Sequence, residues 1–314
     1  MFNTLLVALD GGPQHARVLD QAAAIAGPHS RLHLLCVLDP EFALAADASE
    51  ADRIEYPEAA RQRSRAEAVL AEALAELRER GIDAIAQIPS GDPGEVISEQ
   101  ARRLKCDLIV IGHRHLSRLE RLFEPSIGQW TIDHAPCPVL VVQRPWLGAY
   151  ARVLVSVDFC AASRPLVRYA GDLEAGAALE LFHAIDTHDE ARLRSAEASI
   201  AAVQAYRREV QQYAQQQLYR LSDVFDARRN RVGTLIGRGD AVRHLTVQQE
   251  RMGADLVVLG QERRSWLMEM VRVSVPRKLL AGGLQSDLLV VPHDYLGVLL
   301  DGRQPACAAG RLPA

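Results

Sequence analysis

The residues best able to do chemistry fall at two kinds of place. Two aspartates, Asp10 and Asp158, each close a short apolar run, LVALD from Leu6 and LVSVD from Leu154. Two polar stretches each follow a glycine at the end of another apolar run. His113, Arg114, His115, Arg118 and Arg121 come after Gly112; Arg263, Arg264 and Arg272 come after Gly260, diluted by Glu262 and Glu269. Each stretch leads to a serine, Ser126 or Ser274. The first stretch is basic. It either holds an anion through charge-assisted hydrogen bonds or is a solvated loop. His113 and His115 stand two apart, a spacing open to zinc, but no third ligand of the right kind accompanies them in sequence, and no metal is assigned. The two aspartates also read two ways: as ligand contacts, or as caps of the turn into the following helix.

Nucleophilic and metal-hydrolytic motifs are missing: there is no GxSxG, no GxxxxGK[ST] and no HExxH. The five cysteines, Cys36, Cys106, Cys137, Cys160 and Cys307, form no CxxC pair. Their odd count and wide scatter fit reduced cytoplasmic thiols. All but Cys307 are read as preceding or lying within apolar strands, where a thiol is inert. No catalytic residue is assigned, and the chain is read as a non-enzyme. Apolar residues make up 48% and charged residues 24% of the 314, with net charge 36 − 40 = −4. That is a globular profile of two domains, without the Lys/Arg run of a nucleic-acid surface. No basic leader precedes the first apolar run, and no apolar run reaches the ~20 residues of a membrane span. A soluble cytoplasmic protein, free of membrane and nucleic acid, is expected.

These residues recur at one offset. Asp158 follows Asp10 by 158 − 10 = 148 positions, and the same interval links Gly91 and Asp92 with Gly239 and Asp240, Asp107 with Asp255, Gly112 with Gly260, and Ser126 with Ser274. CDLIVIG from Cys106 lies over ADLVVLG from Ala254. The chain is therefore a duplication. The first copy predicts strands at Phe2–Leu9, Leu32–Leu38, Ile82–Ile88, Leu108–Ile111 and Val139–Val142, and helices at Ala16–Ala26, Pro57–Arg80, Pro93–Leu104 (Asp92 as N-cap) and Ser126–His134. The second predicts strands at Val153–Val157, Leu179–Ile185, Val232–Ile236, Leu256–Leu259 and Leu288–Val291. Its second helix, about Arg192 to Phe225, is expected to be longer than its counterpart. That helix carries a stripe of Ile200, Val203, Tyr206, Val210, Tyr213, Leu218, Leu221 and Phe225, read as the sheet-covering face rather than a partner surface. Alternating strands and helices imply parallel doubly wound sheets with ligands at the carboxyl ends of the strands. The expected domains are 1–145 and 151–295, joined by Pro145–Ala151, with 296–314 as a loosely docked tail.

The strings LVALDGG, GDPGEVISEQARRLKCDLIVIG and HAPCPVLVV in the first copy, and LVSVDFCAAS, GDAVRHLTVQQERMGADLVVLG and LLVV in the second, resemble the universal stress protein family in its tandem, two-domain form. The resemblance implies two five-stranded doubly wound domains, of the adenine nucleotide alpha hydrolase-like kind, packed as an internal pseudo-dimer through their last strands. Further homodimerisation is left open. It implies ATP as ligand, held by Gly-x2-Gly-x9-Gly-Ser/Thr after the fourth strand, with the aspartate of the first strand and a residue at the end of the second beside the base or ribose. Candidate ligand contacts are thus Asp10, Val37, Gly112, His115 and Ser126 in the first copy, and Asp158, Ile185, Gly260, Arg263 and Ser274 in the second. The second and third glycines of the motif are His115 and Pro125 in one copy, and Arg263 and Val273 in the other. Each replacement puts bulk where a phosphate chain would pass, and Pro125 also removes a donor. The expectation is a non-catalytic stress-response protein, a sensor or adaptor, with impaired ATP binding and no certain cofactor. The alternative is a nucleotide-binding stress protein with a remodelled pocket and at most slow ATP hydrolysis. Small-molecule and protein partners are unidentified; an apolar-ligand carrier would need a pocket that sequence cannot display.

Overall fold

Leu5, Leu6 and Val7 are each fully buried, although successive side chains of a strand point to opposite faces. A strand with that pattern needs cover on both sides, which a parallel sheet flanked by helices provides. The computed structural model describes residues 2–12, 14–40, 49, 52, 56–113, 127–145, 148–174, 176–223, 231–262 and 274–300. The described residues divide into two compact units, one up to Gly148 and the other from Ala149 to Leu300.

The first unit contains β1 (Thr4–Ala8), α1 (His15–Ile25), β2 (Arg31–Leu35), α2 (Pro57–Glu79), β3 (Asp83–Gln87), α3 (Pro93–Leu104), β4 (Leu108–Gly112), α4 (Ile127–His134) and β5 (Val139–Val142). Its strands run in the order β3-β2-β1-β4-β5, every pairing parallel. The second unit contains β6 (Arg152–Ser156), α5 (Ser163–Leu173), β7 (Ala178–Ile185), α6 (His188–Ser195), α7 (Ile200–Ser222), β8 (Arg231–Arg238), α8 (Ala241–Met252), β9 (Leu256–Gln261), α9 (Val275–Ala281), β10 (Asp287–Pro292) and α10 (His293–Leu300). Its order is β10-β9-β6-β7-β8, again parallel. The repeat offset survives in the register: Leu5 pairs with Leu108, and Val153 with Leu256.

Several of the repeated polar residues hold the frame rather than a ligand. Asp107 accepts from the amides of Asn3 (2.7 Å) and Thr4 (3.0 Å), and Asp255 from those of Ala151 and Arg152 (both 2.9 Å). Each carboxylate thereby pins the start of its unit's first strand to the start of its fourth. Asp92 caps α3 through the Glu95 amide (3.0 Å), and Asp240 caps α8 through that of Arg243 (2.8 Å), which satisfies donors that the first helical turn leaves open.

Three expectations need correction. The helix foreseen from Arg192 to Phe225 is two helices. Glu197 takes the left-handed conformation (φ 54°), and the Ser199 hydroxyl accepts from the Ala202 amide (3.2 Å) as the N-cap of a fresh helix. With that break, α7 spans 23 residues, the same as α2. On its stripe Val203, Leu218 and Leu221 are buried, whereas Ile200 and Tyr213 are exposed; Phe225 lies outside the described residues. Of the expected tail, 296–300 belong to a helix, α10, whose Tyr295 and Leu296 are buried; 301–314 lie outside the described residues. Regular β2 ends at Leu35, and Leu38 pairs only through an isolated bridge to Ser90.

The short helix α6 is fixed by charge. Buried Glu190 is engaged by Arg207 of α7 and by Arg238 at the end of β8, and Arg194 lies 3.0 Å away. Hydrogen bonding from Arg207 first, then Arg238, outweighs burial and draws the Glu190 carboxyl down to about 2. A folded-state value below the unfolded one contributes stability above about 4.5, and that contribution is lost as pH falls toward about 2. Glu190→Gln is therefore expected to lower the urea midpoint at pH 7. Its difference from the parent should shrink through the acid range; a difference independent of pH would contradict this.

Candidate functional site

In each unit the chain leaves the first strand through an aspartate and turns at once. The Gly12 amide donates to Asp10 Oδ1 (2.8 Å), and the Cys160 amide to Asp158 Oδ1 (3.1 Å). Between them the backbone must enter the left-handed region: φ is 65° at Gly11 and 62° at Phe159. Glycine does so freely. Phenylalanine does so at a cost of about 1–2 kcal/mol, so its side chain must be held. The Phe159 ring stacks on His183 of β7 (centroids 3.9 Å, 26° between planes) and meets Tyr213 of α7 edge-on (6.1 Å). His183 Nδ1 lies 2.8 Å from the Val157 carbonyl. Burial lowers its pKa below the ordinary imidazole value, so the ring is neutral at pH 7.

The first unit covers the same turn with a cation. The Arg65 guanidinium of α2 donates to the Gly11 carbonyl (3.0 Å), and Asp10 lies near enough to the Cys36 thiol to help burial push its pKa up. Val37 is half-buried just beyond β2. Gly112 ends β4; a Cβ there would lie 3.1 Å from Val18 Cγ2 and 3.7 Å from Gln14 Oε1. His113 is buried, not part of an exposed basic loop. His115 and Ser126, along with the arginines of that stretch, lie outside the described residues.

In the second unit side chains pack together at the carboxyl ends of β6, β9 and β10. Gly260, near the end of β9, faces His293, the first residue after β10. A Cβ on Gly260 would lie 2.7 Å from His293 Nε2 and 3.3 Å from Leu166 Cδ2. The other imidazole nitrogen, Nδ1, is 4.0 Å from Cys160 Sγ, and the Ser163 hydroxyl donates to Asp158 Oδ1 (3.0 Å). Partial burial of the carboxylate opposes ionisation of Asp158, an otherwise exposed residue, but hydrogen bonds from Cys160 and Ser163 prevail and set its pKa below the usual value. Burial first, then the Asp158 carboxylate, raises that of the Cys160 thiol. Asp158, Cys160 and His293 each offer a ligand atom within 4.8 Å of the others. Ile185 is buried, its carbonyl accepting from the Gly239 amide (2.9 Å). Ser274 caps the short α9 without a side-chain bond to it. Arg263 lies outside the described residues.

Cys160 and His293 are what sequence reasoning missed. Cys160 does not precede a strand; it sits in the turn between β6 and α5. The repeat offset shows both as differences between the copies, Gly12 becoming Cys160 and Pro145 becoming His293 (293 − 145 = 148), but not that they meet.

Two parallel doubly wound units of one register, each with an aspartate at the end of its first strand, define a duplicated α/β protein of the nucleotide-binding-like class. The sequence matches the Universal stress protein family over residues 1–143 and again over 149–292, and the chain belongs to that family, with two tandem domains. It is 37% identical over 145 residues to a universal stress protein of Thermus aquaticus, covering 46% of this chain and 100% of that protein. It is 35% identical over 66 residues to a universal stress protein A-like protein of Arabidopsis thaliana; that match covers 21% of this chain and 38% of the relative's length. The crystal structure of a universal stress protein from Archaeoglobus fulgidus superposes with a TM-score of 0.65 at 18% identity, covering 92% of this chain and 96% of the other. Among the described residues no helix is long and apolar enough to cross a membrane.

The close approach of His293 makes Gly260 the less tolerant of the two strand-end glycines. Gly260→Ala is expected to cost about 1–3 kcal/mol by overpacking, and Gly112→Ala less than about 1 kcal/mol, as read from urea denaturation. Equal costs would show that the imidazole does not press on β9.

Proposed function

We propose that this chain is a non-catalytic cytoplasmic stress-response protein, a sensor or adaptor, in which ATP binding of the family's usual kind is impaired. The observation that carries the reading is the imidazole of His293 packed against Gly260. In the motif that this glycine belongs to, the bare backbone is needed for close approach of a phosphate, and here a side chain of the protein takes that approach. The losses of glycine at His115, Pro125, Arg263 and Val273 point the same way. Family membership supports the stress role, and the absence of an activated nucleophile among the assigned motifs supports a role in binding.

A second reading is favoured by one difference between the copies. The first unit has Pro145 where the second has His293, and its turn keeps Gly11 and Gly12 beside Asp10. Any nucleotide binding therefore belongs to the first unit, in a remodelled pocket with at most slow hydrolysis.

Calorimetric titration of the full-length protein with Mg-ATP separates the two. The proposal predicts no saturable binding tighter than about 1 mM. Micromolar binding abolished by Asp10→Ala would replace it with the nucleotide-binding reading.

A further inference from the structure

We propose that Asp158, Cys160 and His293 form a zinc-binding site in the second unit. A carboxylate, a thiol and an imidazole are three donor types that zinc takes in mixed tetrahedral sites, and three protein ligands leave a fourth position for water or another ligand. Magnesium and calcium prefer all-oxygen surroundings, so the sulfur and nitrogen donors select against them.

The geometry is close to what the ion needs. With bonds of about 2.0 Å to nitrogen and oxygen and about 2.3 Å to sulfur, a tetrahedral ion sets its donors roughly 3.3–3.6 Å apart. Cys160 Sγ and His293 Nδ1 are 4.0 Å apart, and all three donors fall within 4.8 Å of one another. Modest side-chain rotations close the remainder, and the ligands sit on elements that the fold has already fixed. Asp158 and Cys160 follow β6, and His293 follows β10; both strands pair with β9 and flank its end at Gly260. The lack of a Cβ at Gly260 lets the imidazole lie there with Nε2 toward the glycine and Nδ1 toward the thiol.

Outer contacts orient the carboxylate in the way that second-layer hydrogen bonds orient metal ligands. The Cys160 amide and the Ser163 hydroxyl both donate to Asp158 Oδ1, and a carboxylate keeps further lone pairs for an ion. On binding, the thiol gives up its proton to solvent, and two anionic donors then balance the dication. Asp158 is exposed and the other two ligands half-buried, so the ion has a path in.

The duplication supplies an internal comparison. At the matching positions the first unit has Asp10, Gly12 and Pro145. It keeps the carboxylate and has neither the thiol nor the imidazole. The two added ligands lie 133 residues apart in the chain, yet they meet beside one carboxylate. The site stands whether or not a nucleotide binds elsewhere.

The test uses the untagged full-length protein, stripped with chelator and titrated calorimetrically with zinc chloride, with cobalt(II) as a spectroscopic stand-in. One zinc per chain is expected, together with a cobalt spectrum showing thiolate charge transfer and intense tetrahedral d–d bands. Cys160→Ser and His293→Ala should each weaken binding at least about 100-fold while the far-UV circular dichroism stays native. Asp158→Asn, which keeps a hydrogen-bond acceptor for the turn, should weaken binding without unfolding the chain. No saturable zinc binding, a cobalt complex without a thiolate band, or zinc binding unchanged in Cys160→Ser and His293→Ala would each overturn the proposal.

Discussion

The central strands have no polar face. Leu5 to Val7, Leu108 to Val110, Val153 to Val155 and Leu256 to Val258 are buried on both sides of their sheets, and burial of such side chains contributes roughly 1.5–3 kcal/mol each. This constraint organises the rest. It demands helices on both faces, hence crossovers that return every strand in parallel, and it drives polar and reactive groups to the strand ends. The carboxyl ends, where chains turn into helices, are then the place where a ligand can meet backbone and side chains together. Evolution of function in this architecture is a matter of which side chains occupy those turns.

The two units show that occupancy diverging on one frame. Asp107 and Asp255, Asp92 and Asp240 keep the same mechanical tasks, pinning first strands and capping helices. The turn after the first strand does not keep its contents. Gly11 and Gly12 with Arg65 above them become Phe159 and Cys160 with Tyr213 above them. A left-handed phenylalanine is tolerated because aromatic stacking on His183 holds it. The outcome in the second unit is a crowded, chemically mixed strand end.

Much of this was legible in the sequence. The offset that aligns Asp10 with Asp158 and Gly112 with Gly260 reflects shared backbone geometry, and it carried through to strand register. The apolar runs gave the strands because burial on both faces leaves a continuous signal. The break near Glu197 was not legible: its apolar spacing runs on across the gap, and only a left-handed residue followed by a serine cap divides it. Nor were Arg207 and Arg238 as partners of Glu190, since they sit on separate elements that meet it only through folding. Cys160 and His293 escaped for the same reason. Contacts across 133 residues have no local pattern, and the thiol looked like the buried ones at Cys36, Cys106 and Cys137.

A crystal structure grown with excess Mg-ATP tests most directly whether the protein's own side chains occupy the strand ends of the second unit. The expected result is the His293 imidazole lying on Gly260, beside Cys160 and Asp158, with no nucleotide across β9. A triphosphate over Gly260, with His293 swung away, would contradict it.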